Sequence, residues 1–323
     1  MLRHLTAAFA FGLLASSPLP AVAADAYPSR PIKIIVPFSA GGAVDGPIRV
    51  VADAMGKRLG QAVYVENKPG AGATIGSDVV AKAAPDGYTL LLASQTNAIS
   101  ATMYSKLPYD PIEDFAPVSL IGREQAVIAV NPALPVKSVQ ELIAYVKARP
   151  GQVDFASSGN GSGQHLFAAM FTSMAGLKMT HVPYKGSAPA ISDVVGGRVP
   201  MIVPGLASVT GLIQGGKLRA LAVTGTKRSS QMPDLPTLAE SGFPDYAAYV
   251  WMGLLAPKGT PAAAIDTLYR AVSAALQEPQ VKEYMNHASI EVVGSTPAEF
   301  DRFFHEEKTR WAAVVKATGA QID

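Results

Sequence analysis

Cysteine is absent from this chain of 323 residues, and charged residues make up only 16% of it. Without cysteine there can be no disulfide framework, no thiol nucleophile and no thiolate metal site. The formal net charge is only +2, which gives no electrostatic footprint for nucleic acid or an anionic membrane surface. With 49% hydrophobic residues, the chain can build a large ordinary core, most simply as two domains.

Long uncharged apolar runs are also scarce, and the most prominent one lies at the N-terminus. Arg3 and His4 precede the apolar stretch 5–14, which is too short to span a bilayer. Ala21-Val22-Ala23 then supplies the small residues of a cleavage site. The pattern predicts that residues 1–23 are a signal peptide, cleaved near Ala23, and that the mature protein is exported and soluble. The alternative is a buried N-terminal helix.

Short runs of valine, isoleucine and leucine alternate with helical patterns through most of the chain. Several runs are nearly continuous, which is typical of parallel strands covered on both faces. Strands are predicted over 32–37, 62–66, 88–93, 118–121, 126–130, 153–156, 199–203, 218–223 and 250–256. Helices are predicted over 47–59, over 139–148 behind an N-cap at Ser138, and over 297–316 behind an N-cap at Thr296. The alternation predicts open α/β sheets with sites at the carboxyl ends of strands.

Two glycine-rich loops, each between a predicted strand and a predicted helix, are the most informative feature. The first loop is Ser39-Ala40-Gly41-Gly42, and the second loop, 157–163, reads Ser-Ser-Gly-Asn-Gly-Ser-Gly. Such loops leave backbone N–H groups free at a helix N-terminus, where the peptide dipoles favour negative charge. Glycine permits positive φ and close approach of a ligand. Neither loop has an obvious nucleophile, base or metal ligand set, so the pair predicts capture of a carboxylate.

The two loops fall in different halves of the chain, which indicates one loop for each of two lobes. Two extended segments, 118–130 and 218–227, are interpreted as paired crossovers, so that the second lobe is inserted in the first. We expect one lobe over 24–121 and 226–323 and the other over 122–225. A ligand would then lie in the cleft between the loops.

Sequence motifs along the mature chain point to a family. The first loop stands within Pro37-Phe38-Ser39-Ala40-Gly41-Gly42-Ala43-Val44-Asp45. The further motifs are ENKPGAG at 66–72, APDGY at 84–88, SSG at 157–159, HVPYKG at 181–186, GKLRALAV at 216–223 and GLLAP at 253–257. In this order they resemble the Bug (TctC-like) solute receptors of tripartite tricarboxylate transporters, whose first loop has the pattern P-F-x-x-G-G-x-x-D. The resemblance covers essentially the whole mature chain.

This resemblance implies a periplasmic receptor with the two-lobed type II periplasmic-binding fold, or Venus flytrap, which closes on a small organic carboxylate. It also implies delivery of the ligand to the membrane subunits of a tripartite tricarboxylate transporter. We expect a monomer that uses no cofactor or metal and binds no nucleic acid. The loop positions that carry over as ligand-binding are Phe38, Ser39, Ala40, Gly41, Gly42, Ser157, Ser158, Gly159, Gly161 and Ser162.

Other positions in the resemblance have both a structural and a ligand-binding interpretation. Asp45 either caps the following helix or contacts the ligand. His165, in the first turn of its helix, either donates to the ligand or braces the second loop. Tyr184 can line the cleft from the segment 181–185, which is predicted as a turn after a strand. Thr96-Asn97 follows another strand and supplies candidate polar cleft residues.

The charged residues expected in the cleft limit the class of ligand that it can bind. Many relatives carry an aspartate after the strand 199–203, where it can contact a ligand's ammonium, whereas this chain has Pro204-Gly205. The acidic residues near the loops in sequence are Asp45 and Asp154. A ligand ammonium that is buried without an acidic partner costs several kcal/mol. Both loops also lack arginine, since Arg49 falls inside its helix, which leaves backbone dipoles and bridging water. We therefore expect a ligand without an amino group: a dicarboxylate, a hydroxy acid or an aromatic acid.

Signatures of catalysis are incomplete. Gly215-Gly216-Lys217 imitates a phosphate-binding loop, but Leu218 replaces the hydroxyl residue that holds magnesium. No nucleophile elbow is present, and the five histidines show no metal-ligand spacing. A sensory receptor that signals through a partner protein is an alternative function. An exported hydrolase is a further one, and it needs a general base near Ser158 or Ser162, where only His165 is close in sequence.

Overall fold

The computed structural model of the protein describes residues 27–41 and 44–319. The expected signal peptide and Gly42 of the first loop lie outside the described residues. Within those residues, helices flank two mixed sheets, one in each lobe, which confirms the predicted two-lobed α/β class.

The strands follow one another along the chain as β1 (Ile32–Val36), β2 (Val63–Asn67), β3 (Thr89–Ala93), β4 (Phe115–Gln125), β5 (Val127–Val130), β6 (Asp154–Ser157), β7 (Thr180–Pro183), β8 (Met201–Ile202), β9 (Arg219–Val223), β10 (Tyr249–Pro257) and β11 (Glu291–Val292). The first sheet has the order β11-β4-β10-β3-β1-β2, and the second has the order β7-β6-β8-β5-β9. β1 is parallel to β2 and β3, while β10 is antiparallel to β3 and β4. β6 is parallel to β7 and β8, and β5 is antiparallel to β8 and β9.

The helices are α1 (Asp45–Leu59), α2 (Thr74–Ala81), α3 (Gln95–Met103), α4 (Val139–Lys147), α5 (Gly163–Met174), α6 (Ser187–Val195), α7 (Thr210–Gln214), α8 (Ala262–Ala275), α9 (Pro279–His287) and α10 (Pro297–Thr318). Short 3-10 turns lie at Ala71–Ala73 and Leu206–Ser208. The hydroxyls of Ser138 and Thr296 accept from backbone N–H groups three residues on, which confirms both predicted N-caps. Within the described part of the chain, no helix has the length and apolar character needed to span a bilayer.

Every predicted strand is present, but the expected parallel pairing holds for only part of each sheet. β5 and β10 read as nearly continuous apolar runs and yet pair in antiparallel fashion. In β10, Leu254 packs into the core on the side of α1 and α8, and Leu255 packs into the core on the side of α3 and α10. Burial on both faces, rather than strand direction, therefore sets the composition of these strands.

The chain crosses between the sheets at Ala126 and again over residues 224–248. β4 pairs with β10 up to its last residue, Gln125, so the lobe boundary predicted after residue 121 lies inside a strand of the first sheet. Thr224 ties the two crossings together. Its hydroxyl accepts from the Ala126 N–H at 2.8 Å and donates to the Ala248 carbonyl at 2.7 Å. The lobe limits otherwise stay a prediction.

Candidate functional site

Loops at the carboxyl ends of parallel strands bring the expected site residues to one edge of each sheet. In the first sheet, β1 leads into the first loop, β2 ends at Asn67, and β3 leads into Ser94. In the second sheet, β6 leads into the second loop, while β7 and β8 lead towards Tyr184 and Pro204. Because neighbouring parallel strands end at the same edge, the adjoining strands surround each loop with polar groups.

The first loop is exposed at Ser39, Ala40 and Gly41, and Phe38 beside it is half-buried. Gly41 has a φ of +77°, in the left-handed region that favours glycine, and a Cβ there would meet no atom within 4 Å. The surface of the loop is therefore open to a ligand. Its backbone is already partly used, because the Gly41 N–H donates to Asp45 Oδ2 at 3.0 Å.

Asp45 is the centre of a hydrogen-bonded network behind the first loop, and it is only 5% exposed. Its carboxylate accepts from the Gly41 N–H, the Arg49 guanidinium and the Asn67 side-chain amide at 2.8–3.1 Å. The hydrogen bond from Arg49 contributes most to lowering the pKa of Asp45, to about 2, so the carboxylate is ionised at neutral pH. Asn67 also donates to the Phe38 carbonyl at 3.0 Å. Asp45 thus holds the loop in shape.

One of the two interpretations of Asp45 is wrong. Asp45 does not cap its helix, because α1 begins at Asp45 itself, after Val44, and no side chain supplies a cap bond there. Arg49 lies inside α1, as the sequence predicts, and its side chain returns to the Asp45 carboxylate at 3.1 Å, behind the first loop. The guanidinium also donates to Asn67 Oδ1 at 2.7 Å. Its charge is therefore balanced within the protein.

The start of α3 contains Asn97, which is built into the fold, and Thr96, which is half-buried. Asn97 Oδ1 accepts from the Ser94 N–H at 3.0 Å, and the Asn97 amide donates to the Ser77 hydroxyl at 2.9 Å. These bonds close a capping box at the N-terminus of α3. Asn97 therefore braces the edge of β3, and Thr96 is the more accessible of the two candidate polar residues.

Gln95 is a further cleft residue that the sequence motifs do not single out. Its Oε1 accepts from the Trp251 N–H in β10 at 3.3 Å, and its Nε2 lies 2.6 Å from where a Cβ on Gly163 would stand. The side chain thus reaches from the first lobe to the N-terminus of α5, and glycine at 163 leaves room for it. The sequence marks Gln95 as a candidate only through its position between Ser94 and Thr96, directly after β3.

The second loop is held in place by buried groups. Ser157 has no exposed surface, and its hydroxyl accepts from the Gly159 N–H at 3.1 Å. The Gly161 N–H donates to His165 Nδ1 at 3.2 Å, and Ser162 caps α5 by accepting from the His165 N–H at 3.3 Å. Gly159 and Gly161 have φ values of +133° and +74°, so this tight path favours glycine at both positions.

Two stacked imidazoles support this loop. The rings of His165 and His181 are 3.8 Å apart with an interplanar angle of 7°, and Phe155 stacks on His181 at 5.0 Å. His181 Nε2 lies 2.5 Å from Ser157 Oγ. Burial lowers the pKa of each histidine to about 4, so both are neutral at neutral pH. The sequence predicts His181 in a turn, but it lies in β7, which brings it beside the second loop, and His165 braces that loop through Nδ1.

Tyr184 is fixed beside the second loop by bonds at both ends. Its backbone N–H donates to the Ser157 carbonyl at 3.0 Å, and its hydroxyl donates to Asp193 Oδ2 at 2.8 Å. Ser158 is half-buried, and its carbonyl accepts from the Gly186 N–H at 3.2 Å. Tyr184 is half-buried, and its two hydrogen bonds fix its position beside the loop.

Pro204-Gly205 lies against a carboxyl group from the first sheet. Glu124, near the end of β4, is 6% exposed, and its Oε1 accepts from the Ala207 N–H at 2.6 Å. A Cβ on Gly205 would lie 2.8 Å from Glu124 Oε2, so glycine leaves the room that this carboxyl occupies. The expectation that Asp45 and Asp154 are the acidic groups near the loops is therefore incomplete. Glu124 and Ala207 are 83 residues apart in the chain, which hides their contact from any sequence motif.

Ser157 and His181 have the spacing of a nucleophile and its base, but their surroundings are those of a structural pair. A nucleophile has to reach its substrate, whereas Ser157 has no exposed surface and its hydroxyl also bonds to Gly159. Among the residues that the structure describes, no group of acidic and histidine side chains is placed to hold a metal ion. The N–H groups of Gly41, Gly159 and Gly161 donate within the protein, so these bonds brace the two loops.

Known proteins resemble this chain over nearly its whole length. A family model described as the tripartite tricarboxylate transporter family receptor matches residues 48–320. Protein BugT of Bordetella pertussis is 42% identical over 303 residues, which cover 93% of each chain. The solved periplasmic binding protein BugD is 36% identical, with a TM-score of 0.81 and coverage of 91% of this chain and 99% of BugD.

A second solved structure, Rpa4515 from R. palustris with adipate, is 34% identical. Its TM-score is 0.83, and the match covers 92% of this chain and 100% of Rpa4515. These matches confirm the resemblance that the loop motifs carry. The chain belongs to the family of tripartite tricarboxylate transporter receptors.

Proposed function

We propose that this protein is a periplasmic receptor that captures a small organic carboxylate and delivers it to the membrane subunits of a tripartite tricarboxylate transporter. The observation that carries the proposal is the pair of glycine-rich loops, each at the carboxyl edge of its own sheet. Gly41 and Gly161 have positive φ in these loops, which favours residues without a side chain. The N-terminal signal pattern and the periplasmic relative BugD support the location.

The proposed ligand carboxylate lies against the first loop, and the rest of the ligand faces the second. A charge-assisted hydrogen bond contributes about 1.5–3 kcal/mol, so roughly three or four would give micromolar affinity after the cost of association. Asp45, Asn97, Ser157 and His165 act in this proposal by holding the loops in shape. The residues proposed to face the ligand are Phe38, Ser39, Ala40, Gly41, Gly42, Thr96, Ser158, Gly159, Gly161, Ser162, Tyr184, Pro204 and Gly205.

Binding is proposed to draw the two lobes together. The crossings at Ala126 and Thr224 are hydrogen-bonded to each other, and beside them α10 of the first lobe packs on α5 of the second through Trp311 and Phe167. A ligand that bridges both loops makes its full set of contacts only when the cleft is closed. It can shift the balance towards closure only by its differential affinity for the closed form.

The proposed ligand has no amino group and is a dicarboxylate, a hydroxy acid or an aromatic acid. A buried ammonium needs an anionic acceptor, and the Asp45 carboxylate is already paired with Arg49. An aromatic acid could rest its ring against Phe38 and Tyr184. The relative solved with adipate supports the dicarboxylate class.

A thermal-shift panel tests this function. Succinate, malate, adipate, citrate and benzoate would be compared with aspartate and glutamate. An acid of the right class at about 100 times its dissociation constant should add about 2.7 kcal/mol to the free energy of unfolding, which is a shift of several degrees. If no organic acid in the panel moves the transition, the receptor function is wrong. If only the amino acids move it, the proposed ligand class is wrong.

A further inference from the structure

Glu124 is a buried carboxyl at the place where the two lobes meet. In the first lobe it lines one small cavity together with Val44, which directly precedes α1, and Trp251 of β10. From the second lobe the Ala207 N–H donates to Oε1 at 2.6 Å, and Gly205 packs beside Oε2. In the described part of the chain, no hydrogen bond is made to Oε2. One oxygen is thus fixed by the backbone, and the other has no hydrogen-bond partner among the described residues.

Charged groups on the surrounding elements are engaged elsewhere. Burial, opposed by the Ala207 N–H, raises the pKa of Glu124 to about 7, and no neighbouring charge contributes to this shift. On those elements, Arg123 pairs with Glu291, and Arg49 pairs with Asp45. Tyr249 accepts a hydrogen bond from the Thr226 N–H, and Glu307 accepts one from Trp251 Nε1.

We propose that Glu124 selects dicarboxylates by donating a hydrogen bond, in its neutral form, from Oε2 to the second carboxylate of the ligand. The inference rests on the proposed function as a carboxylate receptor and names the ligand class of that same cleft. With Oε1 held by the Ala207 N–H, the proton of the neutral acid stands on Oε2, which makes Oε2 a donor. An ionised Glu124 would instead repel the second carboxylate.

The charge balance of the cleft favours this role. The cation behind the first loop is the Arg49 guanidinium, and it is already paired with Asp45. A second ligand carboxylate therefore needs a donor that brings no negative charge. A buried neutral carboxylic acid is such a donor, since burial disfavours its ionised form.

The proposal makes binding depend on pH in a definite direction. A bound dicarboxylate favours neutral Glu124 and raises its pKa above the value of about 7 in the free protein. Affinity is then complete below about pH 7 and falls by about tenfold for each pH unit above it. A ligand ammonium would have the opposite effect, because it favours the ionised form and binds more tightly as pH rises.

Isothermal titration with succinate, malate and adipate from about pH 7 to 8.5 tests the proposal, since the ligand carboxylates stay ionised over this range. Glu124→Gln keeps a carbonyl that can accept from the Ala207 N–H and supplies an amide that donates at every pH. The affinity of this variant should therefore be independent of pH. At about pH 8.5 it should be roughly thirtyfold higher than that of the unmodified protein. Glu306→Gln, on the exposed face of α10, is the matched control and should keep the pH dependence. Titration in two buffers of different ionisation enthalpy should show proton uptake on binding by the unmodified protein.

Three results would overturn the inference. Dicarboxylate binding that is independent of pH in the unmodified protein contradicts it and leaves the receptor function standing. Loss of binding in a folded Glu124→Gln protein, with aspartate or glutamate bound more tightly at high pH, assigns Glu124 to an ammonium instead. A protein that binds no organic acid at any pH contradicts the receptor function and the inference together.

Discussion

Mild acid should destabilise this protein through the stacked rings of His165 and His181. Burial lowers the pKa of both histidines to about 4 in the folded state, whereas an exposed histidine titrates near ~6.5. As pH falls through this interval, the unfolded chain binds protons that the folded chain does not. The stabilisation is therefore complete above about pH 6.5 and is lost progressively as pH falls towards about 4.

The size of the effect follows from these two values. One such histidine loses about 2 kcal/mol of stability between about pH 7 and pH 5. Both rings are half-buried and they interact with each other, so solvent screening and coupling reduce the sum to about 2–3 kcal/mol for the pair. For a chain of this size the loss lowers Tm by roughly 3–5 °C.

Thermal unfolding at several pH values would measure this loss in the unmodified protein and in two variants. His181→Phe keeps an aromatic ring in the stack and removes one titrating group, so about half of the pH-dependent loss should disappear. His305→Gln is the control: His305 is exposed, and its pKa is raised, first by the hydrogen bond to the Asp301 carbonyl. Removing it should leave the loss undiminished. NMR titration should place His165 and His181 near pH 4.

Either of two results would refute this reasoning. If His181→Phe and the unmodified protein lose stability equally between pH 7 and pH 5, the buried pair is not the source of the loss. If the imidazole signals of His165 and His181 titrate near the value of an exposed histidine, the rings are not buried as described.

Three further predictions concern the structural residues Asp45 and Asn97 and the N-terminus of the exported protein. Asp45→Asn should lower the free energy of unfolding by about 1–2 kcal/mol in denaturant titrations, because Arg49 loses its charged partner; an unchanged midpoint would contradict the network behind the first loop. This contribution of Asp45 should be present above about pH 4 and be lost as pH falls through about 2. Asn97→Ala should cost about 1–3 kcal/mol in the same assay, because it leaves the Ser94 N–H without a partner and removes the donor to the Ser77 hydroxyl. The exported protein should begin at Ala24 or Asp25, so a retained Met1 in the intact mass of the periplasmic fraction would count against the signal peptide.

The sequence predicts most of the fold because the signals for its elements are local. Apolar runs locate β1 and β10, and the hydroxyl caps at Ser138 and Thr296 locate the starts of two helices. Strand direction is not a local property, and β10 is as apolar as a parallel strand because helices cover both of its faces. β11 spans only two residues at the edge of its sheet, too few to leave a pattern.

The positions of the two loops are also predictable, since each lies between a clear strand and a clear helix. The groups that brace them are not, because they arrive from distant parts of the chain. His181 reaches Ser157 across 24 residues, and Glu124 reaches the N–H of Ala207 across 83. Gln95 meets Gly163 only because β3 and β6 present their carboxyl ends to the same cleft. Pairing and packing, rather than composition, create these contacts.

The central claim is that both loops bind one carboxylate together, and four glycine variants test it most directly by isothermal titration. Valine at Gly41 or Gly161 resists positive φ and stands in the path of the anion, so each variant should weaken binding by roughly a hundredfold while remaining folded. Gly60 and Gly216 have φ of +65° and open surroundings at the far ends of α1 and β9, so valine there brings similar strain without blocking the cleft. Binding should be lost in the first pair and retained in the second. Unchanged affinity in either Gly41→Val or Gly161→Val would contradict the central claim.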